Sequence, residues 1–203
     1  MYRAVLDTVV LVPGLQRDFL LQLAAEGAYT PLWGSGILHE LDYVLEALHE
    51  RRSVTSSAAR RAHLLEQMQK AFPGALVEAP KNRQYSYDID DPDDGHVVHA
   101  SIIGNADALV TGDKRAGFEA STALEEAEVE VVDAATFAAN CVSAHLDAGI
   151  GAVQAMSLRS QSPHRTPREI LAELASRYDM REVEELLAPS FADSGPSSRQ
   201  AET

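Results

Sequence analysis

Cysteine is nearly absent from this sequence. Cys141 is the single cysteine among 203 residues. One thiol excludes an internal disulfide and a zinc site built from several cysteines. Proteins without disulfides are typical of reducing compartments, so the sequence predicts a cytoplasmic protein.

Long apolar segments and an excess of positive charge are also missing. No apolar run reaches the roughly 18 residues of a membrane-spanning helix, and no basic leader precedes the first predicted strand, so we expect neither a membrane span nor a signal peptide. The 17 Lys and Arg residues are outnumbered by 31 Asp and Glu residues, which gives a net charge of −14. This charge argues against broad electrostatic capture of nucleic acid. A metal-dependent nuclease stays possible, because carboxylates that hold divalent cations make a site acidic.

The sequence does contain a regular alternation of short apolar runs and amphipathic segments, which predict strands and helices. The predicted strands cover residues 4–6, 29–32, 75–77, 108–110 and 129–132. This order is typical of a parallel sheet covered by helices. We therefore predict an α/β fold, a three-layer α/β/α sandwich with a central parallel sheet, followed by a small helical extension. The predicted boundaries are 1–144 for the α/β domain, 145–188 for the extension and 189–203 for a disordered tail rich in Ser, Pro and Gly.

The stretch from Asp91 to Asp113 has the strongest local signal. Asp91 is a good N-cap, Pro92 suits the first helical position, and two further acids follow in the first turn, where the helix dipole favours negative charge. The apolar run 108–110 then predicts a buried strand that leads to Asp113. In an open α/β sheet, ligands collect at the carboxyl ends of the strands, which is where Asp113 is expected.

Four acids are predicted to meet at this edge of the sheet. Asp7 follows the first strand and Asp113 the fourth, while Glu40 and Asp94 lie on helices that pass over the same edge. Like charges at close range repel, and divalent cations relieve that repulsion. Oxygen ligands favour Mg²⁺ or Mn²⁺ over zinc. Two such ions could activate a water and stabilise the leaving oxygen of a phosphodiester, so the pattern indicates phosphodiester hydrolysis.

Four segments of the chain share their motifs with a known family. They are Val5–Leu11, Ser35 with Glu40–Leu41, Asp91–Asp94 with His96–Val97, and Val110–Asp113. Together they resemble the PIN-domain ribonucleases, and within these the VapC-type toxins of bacterial toxin-antitoxin pairs. By position, the resemblance implies that Asp7, Glu40, Asp94 and Asp113 are the catalytic, metal-binding acids. Asp94 is preferred to Asp93 for its spacing to the following helix.

The resemblance also implies a function and partners. The chain would be a Mg²⁺-dependent endoribonuclease, with Mn²⁺ as a possible substitute, which acts as a toxin and is blocked by a cognate VapB-type antitoxin. A homodimer is implied, and we expect no membrane contact and no direct DNA contact by the nuclease domain. Residues Pro163–Glu169 and the helices after them resemble the C-terminal extension of a longer VapC-type subgroup. The chain departs from the family at Val9, where an asparagine is common; valine cannot replace the hydrogen bonds of an amide.

Substrate contacts are predicted from their position beside the acids. Thr8 and Thr111 could bind a phosphate oxygen or a metal-bound water, and Lys114 and Arg115 directly follow Asp113. The other basic residues, Lys81 among them, are scattered, and we expect most of them on solvated faces. The pair His96 and His99 lacks a third metal ligand at a suitable spacing, so we expect both at the surface or facing RNA.

Other interpretations of the same residues remain open. Asp91, Asp93 and Asp94 could simply cap a helix, Asp7 and Asp113 could be turn residues, and Glu40 could be a solvated helix edge. At the level of function, the alternative is a catalytically weak or inactive PIN-like binding module in a repressor or RNA-binding complex. A small-phosphate hydrolase is less favoured, because the first strand is followed by no nucleophile elbow, glycine-rich phosphate loop or Asp-x-Asp pair.

Overall fold

A parallel five-stranded sheet forms the centre of the computed structural model, which describes residues 1–191. The strands lie in the order β3-β2-β1-β4-β5, and every neighbouring pair is parallel. Val5 of the central strand pairs with Leu32 on one side and Leu109 on the other. The strand bounds are β1 (Arg3–Leu6), β2 (Thr30–Gly34), β3 (Leu76–Val77), β4 (Ala108–Val110) and β5 (Glu130–Val132).

Helices connect the strands and continue beyond the last one. In the described residues they are α1 (Thr8–Leu11), α2 (Gly14–Ala25), α3 (Ser35–Arg51), α4 (Ser57–Ala71), α5 (Gly95–Ile103), α6 (Thr122–Glu126), α7 (Ala134–Ala144), α8 (Leu146–Arg159), α9 (Pro167–Tyr178) and α10 (Arg181–Leu187). Three 3-10 helices cover Pro92–Asp94, Phe118–Ala120 and Ala188–Phe191. The predicted α/β sandwich with a central parallel sheet and a helical extension is therefore confirmed. Within residues 1–191, none of the helices combines the length and apolar character needed to cross a membrane.

Burial of apolar side chains explains the position of the strands. Ala4, Val5 and Leu6 of β1 are fully buried, and so are all three residues of β4. Strands buried on both faces are expected at the centre of a parallel sheet that helices cover. The carboxyl ends of the strands then lie together along one edge. Asp7 and Thr8 follow β1 there, and Thr111 follows β4.

Two local features differ from the sequence prediction. The helix predicted to begin at Asp91 starts as the 3-10 helix Pro92–Asp94 and becomes α-helical only at Gly95. A short helix, α1, also follows Asp7 immediately, where no helix was predicted. Asp7 caps it, because its side chain accepts a hydrogen bond from the backbone N–H of Thr8. The cap fixes the side chain of Asp7 at the end of the central strand.

The extension packs on the α/β layers. Helix α8 contacts α2 and α10 contacts α7, and one hydrophobic cluster continues from the sheet to Leu174, Val183 and Leu187 in the last two helices. The order also continues beyond the predicted boundary at residue 188, because Phe191 is buried at the end of a 3-10 helix. Residues 189–191 were wrongly assigned to the tail, since Phe191 finds an apolar surface to cover. The rest of the predicted tail, 192–203, lies outside the described residues.

Candidate active site

Asp7 is the most buried of the four acids, with 5% of its surface exposed. Its Oδ1 accepts a hydrogen bond from the backbone N–H of Thr8 at 2.6 Å, and its Oδ2 accepts one from the Thr111 hydroxyl at 2.7 Å. Burial raises the pKa of Asp7 to about 6, against the effect of these two bonds, and the charges of Glu40 and Asp113 raise it further. The carboxylate is therefore held in place by strand ends and is close enough to two other acids to be repelled by them.

Glu40 lies in the second turn of α3 and points to this edge of the sheet. The Thr8 hydroxyl donates to its Oε2 at 2.9 Å, and the Lys81 ammonium donates to its Oε1 at 2.7 Å. The alternative of a solvated helix edge is wrong for Glu40, because both carboxylate oxygens have protein partners. Thr8 thus links the two acids, because its backbone N–H donates to Asp7 and its hydroxyl donates to Glu40.

Asp94 lies at the end of the 3-10 helix that precedes α5. It is half-buried, and burial raises its pKa to about 7, assisted by the charges of Asp7, Asp91 and Glu40 and opposed by that of Lys81. The capping interpretation is correct for Asp91, whose side chain accepts from the backbone N–H of Asp93 at 3.0 Å. It fails for Asp94, whose side chain makes no capping hydrogen bond to α5. Asp94 is thus the acid of this stretch that interacts with Asp7 and Glu40.

Asp113 lies in the loop after β4, close to Thr111, whose hydroxyl binds Asp7. Its backbone N–H donates to the Thr111 hydroxyl at 3.1 Å, and its Oδ1 accepts from the backbone N–H of Arg115 at 2.7 Å. Thr111 therefore connects the loop of Asp113 to the side chain of Asp7. Lys114 and Arg115 are both exposed, and the Arg115 guanidinium lies 4.0 Å from Asp113 Oδ1.

Lys81 is a member of this cluster that the sequence prediction missed. The sequence predicts a solvated basic residue here, yet the Lys81 ammonium binds Glu40, and Asp94 and Asp93 act on it electrostatically. A signal for it was present, because Lys81 follows the third predicted strand at the same edge of the sheet. A basic residue after a strand of the parallel sheet is expected at this edge for the same reason as an acid.

His96 is buried, so the prediction that it lies at the surface or faces RNA is wrong. Its ring is 1% exposed, because α5 packs against α3 at a position where Gly36 has no side chain. Nδ1 donates to the carbonyl of Asp93 at 3.0 Å, while Nε2 has no partner and lies 3.8 Å from Glu40 Oε2. Burial lowers the pKa of His96. His99 is half-buried, and the Tyr87 hydroxyl lies 2.9 Å from its Nδ1.

The cluster fits a divalent cation in the kind of donor it offers. Its groups are carboxylates, which suit Mg²⁺ or Mn²⁺, and burial and mutual repulsion raise the pKa of Asp7 and Asp94, as expected where a counter-cation is needed. His96 Nε2, which lies beside Glu40, is a further buried polar atom, and it has no hydrogen-bond partner. In residues 1–191, however, no three His, Cys, Asp or Glu side chains stand together closely enough to hold a metal ion as they are. Glu40 is instead drawn to Lys81.

A cavity of about 550 Å³ opens at this edge of the sheet. Val9 of α1 and Gly112 of the loop after β4 line it on one side, and Tyr178, Asp179, Met180 and Glu182 of the extension line it on another. Val9 is 43% exposed, so it faces this space instead of holding Asp7. The two bonds from Thr8 and Thr111 orient Asp7 without the amide that the family commonly has two residues after it.

Comparison with protein families gives one result that agrees with this architecture. A family model described as PIN domain matches residues 3–115, which is more than half of the chain. The matched range begins at β1 and ends just beyond Asp113, so it contains all four acids of the cluster. Searches among curated proteins and among solved structures give no match. PIN domains are generally nucleases and typically use divalent metal ions. From this match and the fold, the chain belongs to the PIN domain family.

Proposed function

We propose that the protein is a Mg²⁺-dependent endoribonuclease that hydrolyses RNA phosphodiesters. One observation carries the proposal: buried Asp7 is joined by hydrogen bonds through Thr8 to Glu40 and through Thr111 to the loop of Asp113. A structural role alone gives no reason to bury an acid among acids, because each neighbour raises the cost of its charge. A site that binds a cation gives such a reason.

The proposed division of roles follows from the contacts. Asp7, Asp94 and Asp113 would hold the metal, and Glu40 would hold a second ion or orient its water. A bound divalent cation would supply activation of water and stabilisation of the leaving oxygen. Thr8 and Thr111 fix both oxygens of Asp7, so this ligand keeps its orientation. The exposed cations Lys114 and Arg115 beside Asp113 are placed to bind phosphate groups of RNA.

The biological setting is proposed on the sequence resemblance. The four segments that resemble VapC-type toxins, together with the extension, support a toxin role with a VapB-type antitoxin and a homodimer. The net charge of −14 fits a basic protein partner better than non-specific RNA capture. The cavity lined by Val9, Gly112 and the extension gives such a partner direct access to the edge of the site.

RNA cleavage with two neighbouring variants tests the nuclease proposal. Wild-type protein should cleave end-labelled RNA in the presence of Mg²⁺ or Mn²⁺ and not in EDTA. Asp94→Asn should reduce the rate by at least about a hundredfold, as expected for the loss of a charged metal ligand. Asp93→Asn is the matched control, because Asp93 is the adjacent and exposed acid, and its rate should stay within about threefold of wild type.

Two results would overturn the proposal. One is cleavage by a folded Asp94→Asn protein at the wild-type rate. The other is a wild-type protein that cleaves no RNA in either metal but still binds RNA or a protein partner tightly, which is the behaviour of an inactive binding module. Circular dichroism of each variant establishes that the fold is intact.

A further inference from the structure

The acid cluster already contains a cation of the protein itself. Lys81 Nζ donates to Glu40 Oε1 at 2.7 Å. Burial alone would lower the pKa of Lys81, but the bond and charge of Glu40, with the charges of Asp94 and Asp93, raise it above its usual value. A lysine side chain is ordinarily an ammonium at neutral pH, and the short contact with a carboxylate suits that form. Lys81 brings one positive charge to a cluster whose other members are acids and a His96 ring whose pKa is lowered.

The backbone that presents Lys81 is fixed to the start of α3, one turn before Glu40. The N–H of Ala79 donates to Ser35 Oγ at 3.0 Å, and its carbonyl accepts from the N–H of Gly36 at 2.9 Å. Gly36 is required for this approach, because a Cβ there would lie only 2.8 Å from the backbone nitrogen of Lys81. The loop of Lys81 and the helix of Glu40 thus form one unit.

The contacts of Glu40 show what a metal ion would have to change. Its Oε2 accepts from Thr8 and its Oε1 from Lys81, so both oxygens are already engaged. No three ligand side chains in the described part of the chain stand ready for a metal, although four acids interact here. The bond to Lys81 accounts for the position of Glu40 alone, because the ammonium holds its Oε1.

We propose that Lys81 is the resident counter-cation of the acid cluster, and that a divalent cation competes with its ammonium for Glu40. This inference rests on the proposed metal-dependent function. The side chain of Lys81 has room to leave, because it is 32% exposed and lines a cavity of about 430 Å³ with Ser35, Gly36 and His39. Lys81 is thus a positioning residue that keeps Glu40 in the cluster while no metal is bound.

The test measures metal binding and stability in place of activity. Mn²⁺ is titrated by calorimetry into wild type, Lys81→Met, Lys81→Gln and Lys81→Arg. Removal of the competing charge should tighten Mn²⁺ binding about tenfold in the Met and Gln variants, because a unit charge at this range is worth more than a tenfold change at intermediate dielectric. Lys81→Arg should stay within about twofold of wild type. The matched control is Lys70→Met, which removes an exposed lysine of α4 and should change nothing.

Thermal unfolding is a second measurement. Loss of the Lys81 charge should strengthen Mn²⁺ binding but lower the stability of the metal-free protein. In EDTA, Lys81→Met and Lys81→Gln should melt below wild type, because Glu40 loses its counter-cation. Saturating Mn²⁺ should reduce or remove this deficit, since the ion takes the place of the ammonium. A merely structural lysine would leave the deficit the same with and without metal.

The outcomes separate this inference from the proposed function. If wild type binds no Mn²⁺, the metal-dependent function fails and the inference fails with it. If wild type binds Mn²⁺ and the two neutral variants bind it equally or more weakly, the competition by Lys81 is wrong while the metal site stands. Tighter binding in both neutral variants, with rescue by arginine, is the expected result.

Discussion

The hydroxyl of Thr111 donates to Oδ2 of Asp7 across 2.7 Å and so joins the carboxyl ends of the adjacent strands β1 and β4. This bond lowers the pKa of Asp7, against the burial that raises it. It therefore keeps more of the carboxylate ionised near neutral pH, and only the ionised form is a good metal ligand.

Thr111→Val should weaken metal binding without unfolding the protein. Valine has nearly the shape of threonine but no hydroxyl, so the pKa of Asp7 should rise and Mn²⁺ affinity should fall by about tenfold, a typical loss for a group that supports a ligand. Calorimetric titration at pH 7 measures the change. Thr136→Val is the matched control, because Thr136 donates to Asp133 Oδ2 at the same 2.7 Å. Equal Mn²⁺ affinity in wild type and Thr111→Val would contradict the role given to Thr111.

The raised pKa values of Asp7 and Asp94 should affect how the stability of the metal-free protein depends on pH. The pKa of Asp7 is raised to about 6 and that of Asp94 to about 7, from the ordinary value of 3.8. Between these values the two acids bind more protons in the folded than in the unfolded state, so their contribution to the free energy of unfolding falls as pH rises from about 4 to about 7. Urea unfolding in EDTA at several pH values measures this slope. Added Mg²⁺ should restore stability at the upper end of the range.

Asp94→Asn should make this slope shallower, because asparagine removes one of the two acids with a raised pKa. Asp93→Asn should leave the slope as in wild type, because this acid is exposed. A slope of Asp94→Asn equal to that of wild type would mean that Asp94 is not held in a repulsive, buried cluster.

The acids could be predicted from the sequence because strand ends are easy to locate. Apolar runs mark β1 and β4, and parallel strands share an edge, so Asp7 and Asp113 follow directly. Glu40 and Asp94 follow from helices that pass over the same edge, and only the preference for Asp94 over Asp93 required the family spacing. The structure distinguishes Asp94 from Asp91, because the side chain of Asp91 caps and that of Asp94 does not.

The sequence places Lys81 after a predicted strand, but neither its bond to Glu40 nor the burial of His96 could be predicted, since both depend on tertiary contacts. His96 looks like a polar residue on a short helix, and only the packing of α5 on α3 buries it. Lys81 lies in a loop whose course is set by two hydrogen bonds of Ala79, one with Ser35 and one with Gly36. Ala79 and Ser35 are 44 residues apart in the sequence. Local sequence patterns contain no information on such distant pairs.

Gly36→Ala should disturb the site from the side of α3. A Cβ at this position would lie 2.5 Å from His96 Cδ2 and 2.8 Å from the carbonyl oxygen of Ala79, and neither the buried ring nor the backbone can move freely. Overpacking of this kind costs about 1 to 3 kcal/mol. We expect that loss in urea unfolding, because the added Cβ strains the contact of α3 with α5 and with the loop of Lys81.

Gly14→Ala provides the comparison for this effect. Gly14 begins α2, and a Cβ there would meet only the end of the Arg17 side chain at 3.6 Å. The substitution should be neutral or stabilise the protein by about 0.4 to 1 kcal/mol, because alanine restricts the unfolded chain. If Gly36→Ala were equally harmless, the close contact between α3, α5 and the loop of Lys81 would be wrong.

Leu187→Ala tests how the extension is joined to the α/β layers. Leu187 is fully buried at the end of α10, and its Cδ2 approaches α8 so closely that a Cβ on Gly149 would lie 3.0 Å away. Truncation of a buried leucine costs about 2 to 5 kcal/mol. Because a single hydrophobic cluster includes Leu187 and the strands of the sheet, the whole protein should lose this stability in one cooperative transition. Urea unfolding followed by circular dichroism and by the fluorescence of buried Trp33 measures both the loss and the coincidence of the two probes.

Leu158→Ala is the control, since Leu158 on α8 is 79% exposed and should change stability by less than about 0.5 kcal/mol. Two separate transitions, with the Trp33 signal unchanged by Leu187→Ala, would instead mean that residues 145–188 unfold as an independent unit.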